Sequence, residues 1–351
     1  MKVETRVFGK TNDGREVHSF ILRNKNGMEA EFIDYGATLV KLIVPERNGK
    51  RKDIVLGYDD VAGYENNSAY FGGFIGRCCN RIEDGKFSIN GIDYQLERND
   101  NGVNCLHGGE IGYNNKMYEA ETFEEENGCS VEFFRMSHDL EQGFPGNLDI
   151  TVTYTMTEEN ELVIEYSATP DRDTIVNFTN HSYFNLQGHD TGDILNQKIK
   201  INADYFTEIN DKLVPTGRLI PVKDTPMDFR DWKKIGKDIN SVYDAIVKAG
   251  GYDHNYAVGQ RDGVTLIAEA KDEMSNRRME VYSDMPGVQF YTGNFIHETR
   301  KGKDGCIYKE HSGFCLETQK FPNAINISEF DTPIVKKGHV FDSITIYKFY
   351  W

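Results

Sequence analysis

The sequence predicts an all-β fold, a large antiparallel sandwich with few short helices. Turn signals recur along the whole chain, the runs between them alternate apolar and polar residues, and helical periodicity is scarce. The turn signals are nine Asn-Gly or Asp-Gly pairs, beginning at positions 13, 26, 48, 84, 90, 101, 127, 262 and 304. Such pairs supply the positive φ that tight hairpins require.

Taken in order, strand character falls at 17–22, 39–44, 87–96 (split by the turn at 90–91), 131–136, 148–155, 162–168 and 264–270. The run at 148–155 shows the two-residue period plainly. Leu148, Ile150, Val152 and Tyr154 share one face, and Asp149 with three threonines takes the other, as in a strand with one face buried and one wet. The best helix candidate is 241–249, closed by Gly250 and Gly251 as a helix C-terminus would be. Regular alternation of strand and helix is absent, which argues against a parallel doubly wound sheet. Long Asn- and Gly-rich loops are expected near 97–117 and 138–147. No repeat, low-complexity segment or linker marks a boundary, so residues 1–351 are expected to form a single domain.

The 351 residues are 38% hydrophobic and 12% aromatic, enough for a sizeable core. Forty Lys plus Arg against 56 Asp plus Glu give a net charge of −16. An acidic surface repels phosphate backbones and anionic lipid, which argues against nucleic-acid and membrane partners. The N-terminal stretch lacks the apolar run of a signal peptide, and no window approaches the ~20 apolar residues of a membrane helix. The six cysteines, Cys78, Cys79, Cys105, Cys129, Cys306 and Cys315, show no CxxC spacing. They read as free thiols of a cytoplasmic protein. Nicotinamide, Walker-loop and HExxH motifs are absent, and neither a metal nor a cofactor is expected.

Polar residues gather on one side of three runs. If 174–186 is extended, Val176, Phe178 and Phe184 point one way and Asn177, Thr179, His181 and Tyr183 the other. That face suits a cleft for a polyol, or equally a solvated exterior with an incidental histidine. In 313–322, Phe314 and Leu316 oppose Cys315, Glu317 and Gln319. The apolar surroundings favour a partly desolvated Glu317, with a pKa raised toward the range of a useful base. In 287–294, Gln289 and Tyr291 oppose Val288 and Phe290. Loops offer His107 beside Gly108 and Gly109, Asp253 in a turn flanked by aromatics, and Asn80 with Arg81. Each of these has a plain structural alternative: a turn histidine, an Asx-turn aspartate, a surface arginine.

Six segments, in order, resemble those of the aldose 1-epimerases, also called galactose mutarotases. They are Gly76-Arg-Cys-Cys-Asn-Arg-Ile82, Leu106-His-Gly-Gly109, Asn177-Phe-Thr-Asn-His-Ser-Tyr-Phe-Asn-Leu186, Gly251-Tyr-Asp-His-Asn255, Pro286-Gly-Val-Gln-Phe-Tyr-Thr-Gly-Asn294 and Cys315-Leu-Glu-Thr-Gln319. The resemblance implies a β-sandwich of the galactose mutarotase type with the sugar in an open cleft. It also implies Glu317 as general base and His181 as general acid. His107 and Asp253 would hold the sugar, with Asn80, Arg81 and Gln289 as further contacts. Cys78–Cys79 departs from the small pair expected there, such as Val-Ala, which bears on local packing.

Interconverting the α and β anomers of a free aldohexose needs one base on the C1 hydroxyl and one acid on the ring oxygen. Each contributes roughly 10²–10⁴-fold, and no redox group, nucleophile or metal is required. Competing readings are a glycoside hydrolase using Asp253 and Glu317, a hexose-6-phosphate 1-epimerase, and a non-catalytic carbohydrate-binding sandwich. The expected partner is a small-molecule monosaccharide substrate; the hydrolase reading would instead require an oligosaccharide. The preferred aldose and the oligomeric state are not legible.

Overall fold

The two-residue period at 148–155 extends through a ten-residue strand, Leu148–Thr157, in which alternate residues from Leu148 to Met156 are buried. This strand lies inside a nine-stranded sheet. Its order is Glu119–Glu124, Gly128–Ser137, Leu148–Thr157, Glu161–Pro170, Phe341–Tyr350, Arg278–Ser283, Thr265–Lys271, Lys198–Ile201 and Lys233–Lys234. Every pairing in it is antiparallel. The computed structural model describes residues 2–259, 263–297 and 300–351.

Two five-stranded sheets accompany it. The N-terminal one runs Lys2–Lys10, Glu16–Arg23, Glu29–Ile33, Thr38–Pro45 and Arg51–Asp53, each strand beside its sequence neighbour. The other has the order Pro215–Pro221, Tyr205–Ile209, Asp253–Ala257, Gly287–Tyr291 and Cys315–Gln319. One apolar cluster draws on all three sheets, with Leu22 and Phe32 from the first, Ile150 and Val152 from the nine-stranded sheet, and Phe290 and Leu316 from the last. The Tyr347 hydroxyl donates to the Leu316 carbonyl at 3.0 Å, tying the Cys315–Gln319 strand to the long sheet. With that face of the strand turned to the core, alternation leaves Cys315, Glu317 and Gln319 on the other.

The turn chemistry acts as expected at Asn90 and Gly91. Both carry positive φ, 53° and 77°, and join Lys86–Ile89 to Ile92–Gln95. At the 262–263 pair, Asp262 lies outside the described residues. The expected 241–249 helix is shorter, Asp244–Ala249, and ends where Gly250 adopts the left-handed conformation and its N–H reaches back to Ile246 and Val247. A second short helix, Val61–Glu65, gave no sequence signal, being only five residues long and capped by Asp60.

Segment 174–186 is not a continuous strand. It pairs only at Thr174–Ile175 and Thr179–Asn180, with isolated bridges at Asn177 and Phe184. Every residue from Thr174 to Leu186 is buried, so the alternative of a solvated exterior falls. The segment runs between sheets, and several of its polar side chains are satisfied internally, though Thr179 Oγ1 has no partner among the described residues. Asn180, for example, donates to the Gly72 carbonyl and Asn177 to the Lys320 carbonyl. The loops at 97–117 and 138–147 are largely irregular, with 3-10 turns at Tyr113–Asn115 and Glu141–Gly143.

Candidate active site

Three neighbouring strands build the floor of the site in strict register. Asp253 lies opposite Tyr291 and Asn255 opposite Gln289. Gln289 in turn lies opposite Glu317, and Tyr291 opposite Cys315. Directly opposed residues share a face, so Asp253, Asn255, Gln289, Tyr291, Cys315, Glu317 and Gln319 form one polar patch. Asp253 opens a strand and is not the turn residue that the sequence suggested.

A pocket lies over this patch. It is lined by Asn80, Arg81, His107, His181, Asp253 and Glu317, with Tyr70, Tyr183, Tyr291 and Phe295 among its aromatic walls. Six of the seven expected site residues therefore line it. Gln289 stands behind, donating from Nε2 to Asp253 Oδ1 at 2.6 Å.

His181 and Glu317 face each other, with 3.7 Å between Nε2 and Oε2. Both are nearly inaccessible, at 4% and 2% exposure. Glu317 Oε2 is a buried oxygen without a hydrogen-bond partner, and leaving such a group unpaired costs ~1–3 kcal/mol. Burial drives the Glu317 carboxyl well above its usual range, and nearby Asp253 adds to this against the pull of Arg81. Burial takes the His181 imidazole down to about 4, opposed by its own backbone carbonyl and by Asp253. Desolvation disfavours the charged form of both groups.

His107 is held in the left-handed region, φ 51°. Its Nδ1 accepts the Asn80 backbone N–H at 3.2 Å, while its own N–H donates to the Asn80 carbonyl at 3.1 Å. Burial pushes its pKa well below the usual value, with His181 and Arg81 adding. The imidazole is neutral and its proton sits on Nε2. The following Gly108 serves packing, not ligand approach: a Cβ there would lie 2.1 Å from the Gly76 carbonyl oxygen, and φ is +87°.

Arg81 donates from Nε to Asp100 at 2.8 Å and lies 3.7 Å from Asp253. Burial would lower its pKa, but the two aspartates outweigh that and hold the guanidinium charged. From Asp253 the network continues through Gln289, whose Oε1 accepts from Gln319 Nε2 at 3.2 Å. Gln319 Oε1 accepts the Cys79 thiol at 3.4 Å. The unexpected Cys78–Cys79 pair is thus buried beneath the site, and Cys79 anchors its polar floor.

Sequence reasoning missed Tyr70, which stacks on His181 at 5.7 Å and tilts against His107 at 4.7 Å. Its signal is conformational: φ is +60°, unusual for a bulky residue. Burial raises its hydroxyl pKa to about 12.

The facing ligand atoms of His107, His181 and Glu317 all lie within 4.8 Å of one another, which is metal-like spacing. The tautomer of His107 argues against ligation. A metal-bound imidazole donates its other N–H outward, whereas His107 Nδ1 already accepts a proton donor.

Fold and pocket together define a polar pocket, walled by aromatic rings, on an antiparallel β-sandwich. The chain belongs to the aldose 1-epimerase family, whose model matches residues 18–348. It is 39% identical over 350 residues to the galactose mutarotase of Rattus norvegicus, covering 99% of each chain. To the aldose 1-epimerase of Escherichia coli K12 it is 34% identical over 341 residues, 96% of each. The solved structure of an aldose epimerase homologue from C. elegans superposes with a TM-score of 0.85 at 31% identity, over 94% of this chain and 98% of that one.

Proposed function

We propose that the chain is an aldose 1-epimerase that interconverts the α and β anomers of a free aldohexose, galactose or glucose, with Glu317 as general base and His181 as general acid. Residues 1–351 act as a single catalytic domain. Six unpaired cysteines suit a reducing, cytoplasmic compartment. Among the described residues, no helix is long and apolar enough to cross a membrane.

The observation that carries the assignment is the buried His181–Glu317 pair at 3.7 Å. The two reacting oxygens of a cyclic sugar, the C1 hydroxyl and the ring oxygen, are bonded to one carbon. An acid and a base that reach both must lie side by side. Glu317 takes the C1 hydroxyl proton as His181 gives one to the ring oxygen, and the C1–ring oxygen bond breaks. Rotation about C1–C2 presents the other carbonyl face, and the reverse transfers close the ring.

Burial opposes charge on both members of the pair, and the proton count shows what that does to the chemical step. Carboxylate plus imidazolium holds the same single titratable proton as carboxyl plus neutral imidazole. Ring opening converts the first pair into the second, so the chemical step discharges two buried charges. Reclosure reverses both transfers and so restores carboxylate plus imidazolium for the next cyclic substrate. His107, a neutral Nε2–H donor, and Arg81 with Asp253 supply hydroxyl contacts.

Two alternatives fit less well. A hydrolase would need Asp253 as its second carboxyl, but Gln289 and Arg81 engage it. A phosphohexose would need a free cation. Arg81 is the one Lys or Arg among the described pocket-lining residues, and two aspartates already neutralise it. Polarimetry of freshly dissolved α-D-galactose and α-D-glucose tests the proposal. Wild-type enzyme should accelerate mutarotation, and Glu317→Gln should lose roughly 10²–10⁴-fold. A Glu317→Gln variant with undiminished rate overturns the assignment.

A further inference from the structure

The imidazole of His181 is surrounded by rings. Tyr70 and Tyr183 lie nearly parallel to it, with ring centres at 5.7 and 5.0 Å and interplanar angles of 25° and 27°. Tyr291 and His107 meet it edge-on, at 6.2 and 5.1 Å. Tyr183 also packs on Phe71, and the Tyr291 hydroxyl accepts the Phe295 N–H at 2.9 Å. Tyr70 differs from both: among the described rings it contacts His181 and His107 alone.

A turn bonded to His181 itself brings Tyr70 there. The Gly72 N–H donates to the His181 carbonyl, and the His181 N–H donates to the Gly73 carbonyl, each at 3.0 Å. Gly72 permits this approach, since its φ is +67° and a Cβ there would collide with the Leu39 carbonyl oxygen. Phe71 is fully buried in the core, while its neighbour Tyr70 lines the pocket. Tyr70 takes φ +60°, a left-handed conformation that a bulky residue keeps only where its surroundings impose it.

We propose that Tyr70 is a positioning residue that acts through His181, its ring face stabilising the imidazolium by a cation–π interaction and so preparing the acid for the sugar's ring oxygen. The proposal rests on the reading of His181 as general acid. That role places a positive charge where water is nearly excluded, and a ring face within about 6 Å attracts such a charge. A second carboxylate against the imidazole would also hold its proton. A ring face favours the charge without accepting the proton, which leaves His181 able to release it.

The other groups facing His181 leave this task to the rings. Glu317 is the counter-ion at 3.7 Å, charged only in the reactive state, and Asp253 acts only through space. Cys315 Sγ lies 3.5 Å from Nδ1, and burial keeps that thiol uncharged. His107 is neutral, and Arg81 is engaged by Asp100 and Asp253. Burial raises the Tyr70 hydroxyl to about 12 and pushes those of Tyr183 and Tyr291 up as well. All three therefore act as uncharged rings.

Fluorination tests the electrostatics of the ring at nearly constant shape. Mono-, di- and trifluorophenylalanine are incorporated at position 70, with Tyr70→Phe as the reference, because each fluorine withdraws negative charge from the ring face. The kcat for mutarotation should fall stepwise, by roughly 2- to 30-fold across the series, with a smaller change in KM. A flat kcat overturns the proposal. So does an effect confined to KM, which would make Tyr70 a wall for the sugar only. NMR titration of the His181 ring in the same proteins, assigned by comparison with His181→Asn, needs no substrate. Its midpoint should move to lower pH along the series, by roughly 0.4–1.5 units, because a less stabilised imidazolium gives up its proton sooner. An unmoved midpoint overturns the proposal even in an active enzyme. Mutarotation missing from the unmodified protein would instead overturn the acid reading, while the titration still decides whether the ring stabilises the charge.

Discussion

Gln289 stands directly opposite Glu317 across two hydrogen-bonded strands, yet its amide nitrogen is given to Asp253 at 2.6 Å. Its oxygen is occupied as well, accepting from Gln319. The nearest cross-strand amide therefore does nothing to solvate Glu317, whose Oε2 is left unpaired. One glutamine thus separates two carboxyl groups: Asp253 is engaged by a hydrogen bond, while Glu317 is left desolvated.

Removing that glutamine should separate binding from chemistry. In Gln289→Ala, Asp253 Oδ1 loses its 2.6 Å donor and Gln319 Nε2 loses one of its two acceptors. Unpaired buried groups cost ~1–3 kcal/mol, so the melting temperature should fall by several degrees. Asp253 would then hold sugar hydroxyls less firmly. A KM increase larger than the loss in kcat is expected in steady-state assays coupled to a β-anomer-specific dehydrogenase. A loss confined to kcat would contradict this division of labour.

The opposed shifts at Glu317 and His181 also predict how stability follows pH. A raised carboxyl contributes stability that is full below its unfolded value of 4.5 and is lost as pH rises through the folded pKa. A lowered imidazole contributes stability present above its unfolded value of 6.5, and lost as pH falls toward about 4. Between about 4.5 and 6.5 the two slopes are opposite, each about 1.4 kcal/mol per pH unit for a full proton, and they cancel. Glu317→Gln should therefore make stability rise more steeply with pH in that window than in wild type, and His181→Asn less steeply. Urea melts at pH 4.5, 5.5 and 6.5 measure both slopes. Parallel profiles for all three proteins would show that the pair does not titrate as described.

The pH–rate profile should be displaced in the same way. The neutral pair of the free enzyme becomes inactive by gaining a second proton at His181, near 4, or by losing the Glu317 proton above the usual carboxylate range. Since kcat/KM reports the free enzyme, it should show no acid limb near 6.5 and fall on the acid side only as pH approaches about 4. Polarimetric rates corrected for buffer catalysis give the curve. An acid limb near the ordinary imidazole value of 6.5 would contradict the burial argument.

The fold was legible because its signals are local. The period at 148–155 and the turn at Asn90–Gly91 each act within a few residues, and so does the alternation that put Cys315 and Glu317 on one face. Segment 174–186 was misread because a buried crossing between sheets imitates a strand in sequence. Asn177 in it is satisfied by a distant group, the Lys320 carbonyl, which no local pattern reveals. The motif Gly76–Ile82 shows the same limit. Arg77 and Arg81 look alike in sequence, but Arg77 is buried against the carbonyls of Pro145 and Gly146, bracing a loop, and Arg81 alone reaches the pocket. Tyr70 left no trace, since a positive φ at a tyrosine is set by tertiary packing.

Metal removal should leave the enzyme unaffected, for a reason internal to the histidines. The trio His107, His181 and Glu317 has the spacing of a two-histidine, one-carboxylate site. Ligation through Nε2 requires each ring to carry its proton on Nδ1 and to find an acceptor behind it. Behind His107 stands the Asn80 N–H, so that ring meets a donor where an acceptor is needed. Holding a cation there would cost His107 its 3.2 Å hydrogen bond and bring two hydrogens together. Exhaustive dialysis against a chelator should therefore leave the mutarotation rate unchanged, and elemental analysis of the purified enzyme should find far less than one metal per chain. A stoichiometric metal lost together with activity, and absent from Glu317→Gln, would reverse the tautomer assignment at His107.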